Sequence, residues 1–428
     1  MDIDGTDMQA EAMEVATEAG HILLENGAEI SRVEETMERI ASFYGVDSRN
    51  FFVLSNGIFS TGRRFANVEF IPFKGTQLDK VVAVNQFSRD VERGRYTLAA
   101  ARAELHRIRC MPPKPFVEQV VASALGSAGF CIIFGGSLAD SLVSLAVGLL
   151  LYVFVLGVSV RCMSKLFGNI CGGALVTLLC LLASRMGWGS NLSNMIIGAV
   201  IPLIPGVPFT NGIRDIANED YIAGATRLLD AMLVFFCIAL GVCLVFLVDS
   251  RLSGGMINLS GMGVDAFTYR VPVQMVAALV GTAAFAVLFG VPRKHYLLCG
   301  VCGLVGWIVY MALTRAAACT PIEATCVATI AVALVSRICA VCKKCAITVF
   351  LICGIFPLVP GAGIYWTSYY LIAGQLRMAM TSGLTAIKLT IAIILGIVVA
   401  TDVIFKLIRW WKAKYRGYKR AGEGGKLG

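Results

Sequence analysis

A polar run between two apolar segments carries the side chains with the most potential for chemistry. It reads PFTNGIRDIANEDYIAGATRLLDAML at residues 208–233. Four of its residues are three or four positions apart and would share one face of a helix: Asp220, Gly224, Arg227 and Asp230. Gly224 would let a second helix approach closely, and the two aspartates could neutralise Arg227. Charges in an apolar span are functional by default, so we interpret this face as a gate for a polar solute or ion. A loop whose charges merely pair is the alternative.

A proline- and glycine-rich motif ends just as this polar run begins, and it recurs later in the chain. IPLIPGVPF at 201–209 aligns with FPLVPGAGI at 356–364 at a constant offset of 155 residues. The offset matches Pro205 and Gly206 with Pro360 and Gly361. Each motif ends a short apolar segment, which indicates two broken membrane helices.

A helix that is broken inside a bilayer exposes backbone groups, which are costly unless protein or water covers them. Pro205 and Pro208 lack N–H donors, and Gly206 permits close backbone approach. The break therefore offers free carbonyls and a helix N-terminus, where a carboxylate would bind. A simple proline kink is the alternative for one motif, but two copies in matching positions favour a binding site.

The composition requires a membrane around these motifs. The chain has 428 residues, of which 57% are hydrophobic and 15% charged, and its mean hydropathy is +0.75. A soluble domain carries about 25% charged residues, so the bilayer must be the main solvent. Residues 1–115 carry a net charge of −3 and residues 116–428 a net charge of +12. The basic residues are scattered, so we expect no nucleic-acid partner.

Residues 1–115 are expected to form a soluble α+β domain. The acidic, polar N-terminus does not resemble a signal peptide, which places this domain in the cytoplasm. The hydrophobic spacing predicts helices at 8–44 (interrupted at Gly27), 77–93 and 97–110, and two strand-like runs at 51–62 and 63–73. Its charged helix face is typical of solvated salt bridges: Glu25, Glu29, Arg32 and Glu35. We expect a gating or assembly role for the domain.

The rest of the chain divides into about ten apolar spans. They lie near 117–135, 138–159, 167–184, 193–204, 222–248, 272–291, 295–313, 321–337, 345–358 and 384–408. The fourth and ninth are too short for a regular helix across ~30 Å. Asp140, which opens the second span, is expected to be an interfacial cap. Glu323, near the start of the eighth span, is a candidate proton carrier, although an end-of-helix position is the simpler interpretation. Basic residues concentrate in alternate loops and in the tail, which predicts cytoplasmic N- and C-termini.

The repeated motif predicts the fold class. Two five-helix repeats, 116–250 and 270–410, would precede a basic cytoplasmic tail at 411–428. Because each repeat has an odd number of spans, the second copy would be inverted. The expected fold is therefore a membrane all-α protein with about ten transmembrane helices in two inverted repeats, after an N-terminal α+β domain. Inverted repeats with paired broken helices are typical of transporters.

We predict no cofactor and no metal site. Cys339, Cys342 and Cys345 form C-x2-C-x2-C, but Val349 stands where an iron–sulfur run would need a fourth cysteine. The three histidines lack ligand spacing. No phosphate-binding loop is present, so an ion or substrate gradient would have to drive transport.

Several strings resemble a known family. PGVPFTNGIRDIANEDYIAGATRLLDA is similar to the signature of the threonine/serine exporter family, and so are NGAEISRVEETMERIASFYG, FFVLSNGIFST and NQFSRDVERG. The resemblance covers nearly the whole chain, which looks like the fused form of two parts that some bacteria encode separately. Split members have been connected with export of dicarboxylates such as succinate.

The resemblance implies a set of functional residues: Pro205, Gly206, Pro208, Asn211, Arg214, Asp215, Gly224 and Arg227. Asn218-Glu219 departs from the Gly-Asp-like turn expected there. We expect a secondary exporter of small amino acids such as threonine and serine, in the inner or plasma membrane, working by alternating access. Arg214 or Arg227 would bind a carboxylate, and Asp220 or Asp230 would bind an ammonium group or a coupling proton.

Three alternatives remain open at this point. The first is an exporter of dicarboxylates, the second is a channel, and the third is a membrane-anchored hydrolase run by the N-terminal domain. We expect no enzyme, since that domain offers no nucleophile–base pair. The expected partners are a small-molecule substrate, a coupling proton and the lipid bilayer. The oligomeric state is open, with a homo-oligomer among the options.

Overall fold

The chain is mostly helical, with one small sheet near its N-terminus. The computed structural model describes residues 3–46, 51–61, 66–72, 75–253, 271–316 and 319–404. The predicted tail at 411–428 lies outside the described residues. Within them, eight continuous helices are long and apolar enough to cross a membrane, or ten spans if each of two bent helix pairs counts as one.

The N-terminal region, residues 3–109, is an α+β unit. Its helices are α1 (Ile3–Glu25), α2 (Ile30–Phe43), α3 (Leu78–Glu92) and α4 (Leu98–Arg109). The antiparallel sheet has the order β1 (Phe51–Leu54), β2 (Gly57–Thr61), β3 (Ala66–Phe70). Gly27 separates α1 from α2 as predicted, with a φ of 85° that favours glycine.

The prediction of two strands was wrong, because the run at 51–62 folds back on itself. β1 and β2 pair Leu54 with Gly57 around a two-residue turn, Ser55 and Asn56. Asn-Gly is a strong signal for such a hairpin, and it was present at 56–57. The turn directs Ser55 and Asn56 towards the membrane helices.

The apolar helices follow in two series of matching order. The first comprises α5 (Phe116–Ile133), α6 (Leu138–Phe154), α7 (Val160–Cys162), α8 (Lys165–Arg185), α9 (Leu192–Val200), α10 (Gly206–Ala217) and α11 (Tyr221–Ser253). The second comprises α12 (Val271–Leu288), α13 (Tyr296–Ala316), α14 (Pro321–Lys343), α15 (Ile347–Ile355), α16 (Gly361–Ile372) and α17 (Leu376–Val398). α17 begins eight residues before the predicted tenth span. Asp140 forms a capping box with Ser137, which confirms its predicted capping role. Glu323 forms one with Thr320 and thus lies at the end of a helix, the simpler of its two interpretations.

Both predicted breaks are present, and each lies between two half-helices. α9 and α10 meet at 69°, and α15 and α16 at 51°. In each pair the first half-helix ends in a short 3-10 turn, and proline then precedes the glycine that begins the second half-helix. The short fourth and ninth spans are thus completed by α10 and α16, which continue after a bend.

The two breaks pack against each other. A Cβ atom at Gly206 would collide with the ring of Phe356, and a Cβ at Gly361 would lie 3.0 Å from Ile204. The ring of Phe356 packs against that of Phe285 at a tilt of 34°, with ring centroids 4.3 Å apart. The absence of side chains at the two glycines is therefore what allows the breaks to touch.

Helices α5 and α12 make reciprocal contacts beside the breaks. A Cβ at Gly126 would lie 2.8 Å from Phe285, and one at Gly281 would lie 3.3 Å from Phe130. The offset of 155 relates Gly126 to Gly281 and Phe130 to Phe285. The rings of Phe130 and Phe285 meet edge to face at 5.2 Å. Such exchange of equivalent residues is what a twofold relation between two elements produces.

The N-terminal region docks on the end of α12. The backbone N–H groups of Leu78 and Asp79 donate to the carbonyls of Phe289 and Gly290 at 3.0 and 2.9 Å. The first N–H groups of a helix and the last carbonyls of another need external partners. The two helix ends supply each other, which fixes α3 to the second series.

We expect Gly206→Val to destabilise the protein by about 1–3 kcal/mol, because the new side chain must displace the packed ring of Phe356. The thermal-unfolding midpoint of detergent-purified protein measures this. Gly157→Val is the matched control, since no atom lies within 4 Å of a Cβ at Gly157. Equal midpoints for the two variants would contradict the packing of the breaks.

Candidate functional site

The turn between α1 and α2 inserts into one end of the membrane helices. This α1–α2 turn, residues 26–29, contacts α10, α11 and α15 through hydrogen bonds and ion pairs. The carbonyl of Gly27 accepts from Asn211 Nδ2 at 2.6 Å, and that of Ala28 from Arg227 Nη2 at 2.9 Å. Carbonyls left free by the turn are thus satisfied by two of the predicted site residues.

Asp215 joins the two regions through a fully buried carboxylate. Its Oδ2 accepts from Arg227 Nη1 at 2.7 Å. Its Oδ1 accepts from the backbone N–H of Ile30, the first residue of α2, at 3.2 Å. A carboxylate at a helix N-terminus is stabilised by the helix dipole. Asp215 therefore caps a helix that lies 185 residues away in the chain.

Glu29 makes the second buried ion pair. Its Oε2 lies 2.6 Å from Arg214 Nη1, and its Oε1 accepts from Arg32 Nε at 3.1 Å and from Thr348 Oγ1 at 3.4 Å. Burial alone would raise the pKa of the Glu29 carboxyl, but Arg214 and Arg32 outweigh it and lower the pKa below its ordinary value. Glu29 therefore stays ionised and bridges α10 and α15.

A cavity of about 240 Å³ lies beside the α1–α2 turn. Its lining includes an ion pair, since Lys165 Nζ lies 2.5 Å from Asp230 Oδ2. Asn211 Oδ1 is buried without a hydrogen-bond partner among the described residues. The full lining is Leu24, Gly27, Ser55, Asn56, Lys165, Val207, Pro208, Asn211, Thr226, Arg227 and Asp230.

The comparisons with known proteins agree with this architecture. Residues 14–248 match the family model of a threonine/serine exporter, and residues 274–403 match the model described as Threonine/Serine exporter, ThrE. The chain belongs to the threonine/serine exporter family. The curated threonine/serine exporter of Corynebacterium glutamicum is 22% identical over 442 residues, which cover 98% of this chain and 88% of that protein. No solved structure matches the chain. The family is one of transporters, and its membership supports a multi-pass membrane exporter.

The predicted site residues of the exporter fall into three groups. Pro208, Asn211, Arg227 and Asp230 line the cavity. Arg214 and Asp215 lie in the ion pairs at the α1–α2 turn. The third group is at the crossing of the breaks: Pro205, Gly206, Pro360 and Gly361.

The predicted charged face of α11 is arranged differently from the expectation. Arg227 pairs with Asp215, and Asp230 pairs with Lys165 instead of facing Arg227. Asp220 precedes α11 in the connection from α10, and burial raises its pKa despite the nearby charge of Arg227. The close approach predicted at Gly224 is confirmed, because a Cβ there would lie 2.8 Å from the carbonyl of Gly212 on α10.

Four contributors to the site were missed from sequence. Glu29 was interpreted as part of a solvated face, although the neighbouring Gly27 marked a break in the helix. Lys165 and Thr348 carried no signal of their own, since their partners are far away in the chain. Asn56 was visible only as part of the Asn-Gly hairpin. In the described residues, no group of three or more His, Cys, Asp or Glu could hold a metal ion.

We expect Asp215→Ala to cost about 3–5 kcal/mol, because it leaves Arg227 buried without its partner. Since the two residues form one pair, removing Arg227 as well should restore part of the loss. A double-mutant cycle on the thermal stability of purified protein measures the coupling. Glu104→Ala, which breaks the exposed pair with Arg107, is the control and should cost under about 1 kcal/mol. Additive losses at Asp215 and Arg227 would contradict the pairing.

Proposed function

We propose that this protein is a secondary-active exporter of small amino acids such as threonine and serine. The observation that carries the proposal is a cavity beside a broken helix. Its wall holds a cation and an anion, Arg227 and Asp230, which are the partners that the two charges of a zwitterion need. Arg227 can bind a carboxylate in charge-assisted hydrogen bonds, and Asp230 can bind an ammonium group. Both line the cavity with Asn211. The family match supports the same substrates.

The size of the cavity suits a small solute. Pockets for drug-sized ligands run from about 300 to 1,000 Å³, whereas this one is about 240 Å³. The buried Oδ1 of Asn211 lacks a partner among the described residues, and a hydroxyl or ammonium donor would satisfy it. Thr226, Ser55 and Asn56 supply further polar groups at the wall.

The proposed mechanism is alternating access by two inverted repeats. The matching order of helices, the paired breaks and the offset of 155 residues support two related units. Gly126 of α5 contacts Phe285 of α12. Phe130, four residues later in α5, contacts Gly281, four residues earlier in α12. That direction of contact is antiparallel, as expected for an inverted second copy. The end of the cavity at the α1–α2 turn would face the cytoplasm, and both termini would lie on the same side of the membrane.

A coupling proton would bind near the same end of the cavity. Asp220 has a pKa that burial raises above its ordinary value, so it holds a proton more tightly than an exposed aspartate does. It neighbours Arg227, whose charge partly offsets the effect. Asp220 would be the coupling carboxylate, and Gly224 would keep α10 and α11 in contact during gating.

Export of dicarboxylates is the second candidate. Lys165 and Arg227 both line the cavity, and two cations suit two carboxylates. Asp230 favours the amino acids, because it neutralises Lys165 at 2.5 Å. The two candidates therefore differ in whether Lys165 binds a second carboxylate or stays neutralised by Asp230.

Vesicles that contain the purified protein and are loaded with single amino or dicarboxylic acids test the function. We expect saturable efflux of threonine and serine, and loss of that efflux in Arg227→Ala because the carboxylate contact is removed. Arg107→Ala, at an exposed pair far from the cavity, is the control. Unimpaired efflux by a well-inserted Arg227→Ala protein would rule out the role of Arg227. Saturable efflux of dicarboxylates alone would favour the second candidate.

Labelling of single cysteines tests the inverted arrangement. Asn218 and Ala373 are both exposed and are related by the offset of 155. With all fifteen native cysteines replaced by serine or alanine, we expect a membrane-impermeant thiol reagent to label Ala373→Cys in intact cells. Asn218→Cys should react only after the cells are opened. Labelling of both positions from the same side would disprove the inversion.

A further inference from the structure

Glu29 occupies an unusual position for a buried carboxylate. It is the N-cap residue of α2, yet its side chain makes no capping hydrogen bond to that helix. Asp215 from α10 accepts the hydrogen bond of Ile30 instead. Glu29 is 2% exposed and extends into the membrane helices. The side chain at the N-cap position of α2 therefore forms its buried ion pair with a residue of α10.

The partners of Glu29 are those that an amino-acid carboxylate would need. Arg214 supplies a guanidinium from the first series, and Thr348 supplies a hydroxyl from the first turn of α15 in the second series. Charge-assisted bonds of this kind are about twice as strong as neutral ones. The carboxylate thus lies where the two series meet.

The N-terminus of α15 has no cap of its own. Its N-cap residue is Ala346, which has no side-chain acceptor. The equivalent residue at the offset of 155 is Asn191, which caps α9 by accepting from the N–H of Asn194. A helix N-terminus without a cap attracts a carboxylate, and Thr348 on its first turn contacts Glu29. The helix end that lacks a cap is therefore the one whose first turn contacts the buried Glu29.

We propose that Arg214, Thr348 and the uncapped end of α15 form a carboxylate-binding subsite, and that Glu29 fills it as a tethered competitor of the substrate. This inference rests on the proposed function and identifies the part of the site that binds the carboxylate of the substrate. A substrate that passes from the cavity to the subsite replaces Glu29, and the α1–α2 turn withdraws. The docking of α3 on α12 can persist while the turn moves, because it involves different residues.

The first test compares Glu29→Gln with Glu35→Gln in efflux from vesicles. Glutamine keeps the shape of the side chain but removes the charge that holds Arg214. If the unmodified turn is docked about nine-tenths of the time, freeing the subsite should lower the apparent KM about tenfold. Glu35 pairs with Arg39 on the exposed face of α2, so its variant should leave KM unchanged. An unchanged KM in a folded Glu29→Gln protein would overturn the proposal.

The second test holds the turn in place and does not depend on the folding of Glu29→Gln. Ser31 and Asn218 lie on the two sides of the contact, with Oγ and Nδ2 3.1 Å apart. A short, reducible bifunctional thiol reagent should stop efflux by the Ser31→Cys/Asn218→Cys protein, and a reductant should restore it. Each single-cysteine variant treated with the reagent is the control. Full efflux by the cross-linked protein would overturn the proposal, and no efflux by the unmodified protein would overturn the proposed function with it.

Discussion

Two carboxylate–guanidinium pairs at the edge of the membrane helices hold the structure together. Asp215 with Arg227 and Glu29 with Arg214 are buried, with at most about a tenth of any of these side chains exposed. Breaking such a pair by removing one partner costs about 3–5 kcal/mol, because a charge is left in low dielectric. Withdrawal of the α1–α2 turn therefore costs free energy unless another group takes the place of Glu29. If the substrate's carboxylate did so, opening and binding would be linked by the same energetic requirement.

The broken helices explain why the charges can lie at this depth. A continuous helix satisfies its backbone internally and would offer nothing to a polar side chain. After the break at Pro205 and Gly206, α10 begins inside the bundle and presents Asn211 and, one turn later, Arg214 and Asp215. The opposing break supports it, because Phe356 fills the space that a side chain at Gly206 would need. Phe356 also packs on Phe285, which couples the breaks to the contact between α5 and α12.

Local sequence signals predicted the helices and their breaks. They could not predict which charged residues, distant in sequence, form ion pairs. Hydrophobic periodicity and proline–glycine chemistry act within a few residues, so the spans, both breaks and the interruption at Gly27 could be predicted. The partner of Arg227 could not, because Asp220 and Asp230 share its helical face in sequence, whereas Asp215 is 12 residues away and only the bend between α10 and α11 brings it to Arg227. Glu29 was harder still. Its environment depends on Arg214 and Thr348, which are separated from it by 185 and 319 residues, and a surface helix has the same local composition.

The two series have diverged where their chemistry differs. At the offset of 155, the polar positions Thr210, Asn211, Arg214 and Asp215 of α10 correspond to the aromatic positions Tyr365, Trp366, Tyr369 and Tyr370 of α16. The aromatic rings pack on one another, with Trp366 stacked on Tyr370 at 5.5 Å. Charged side chains at a buried position need partners, and the N-terminal region provides them for α10. Tyrosine and tryptophan need only a polar contact at one end and bury the rest of the ring, so α16 can close on itself.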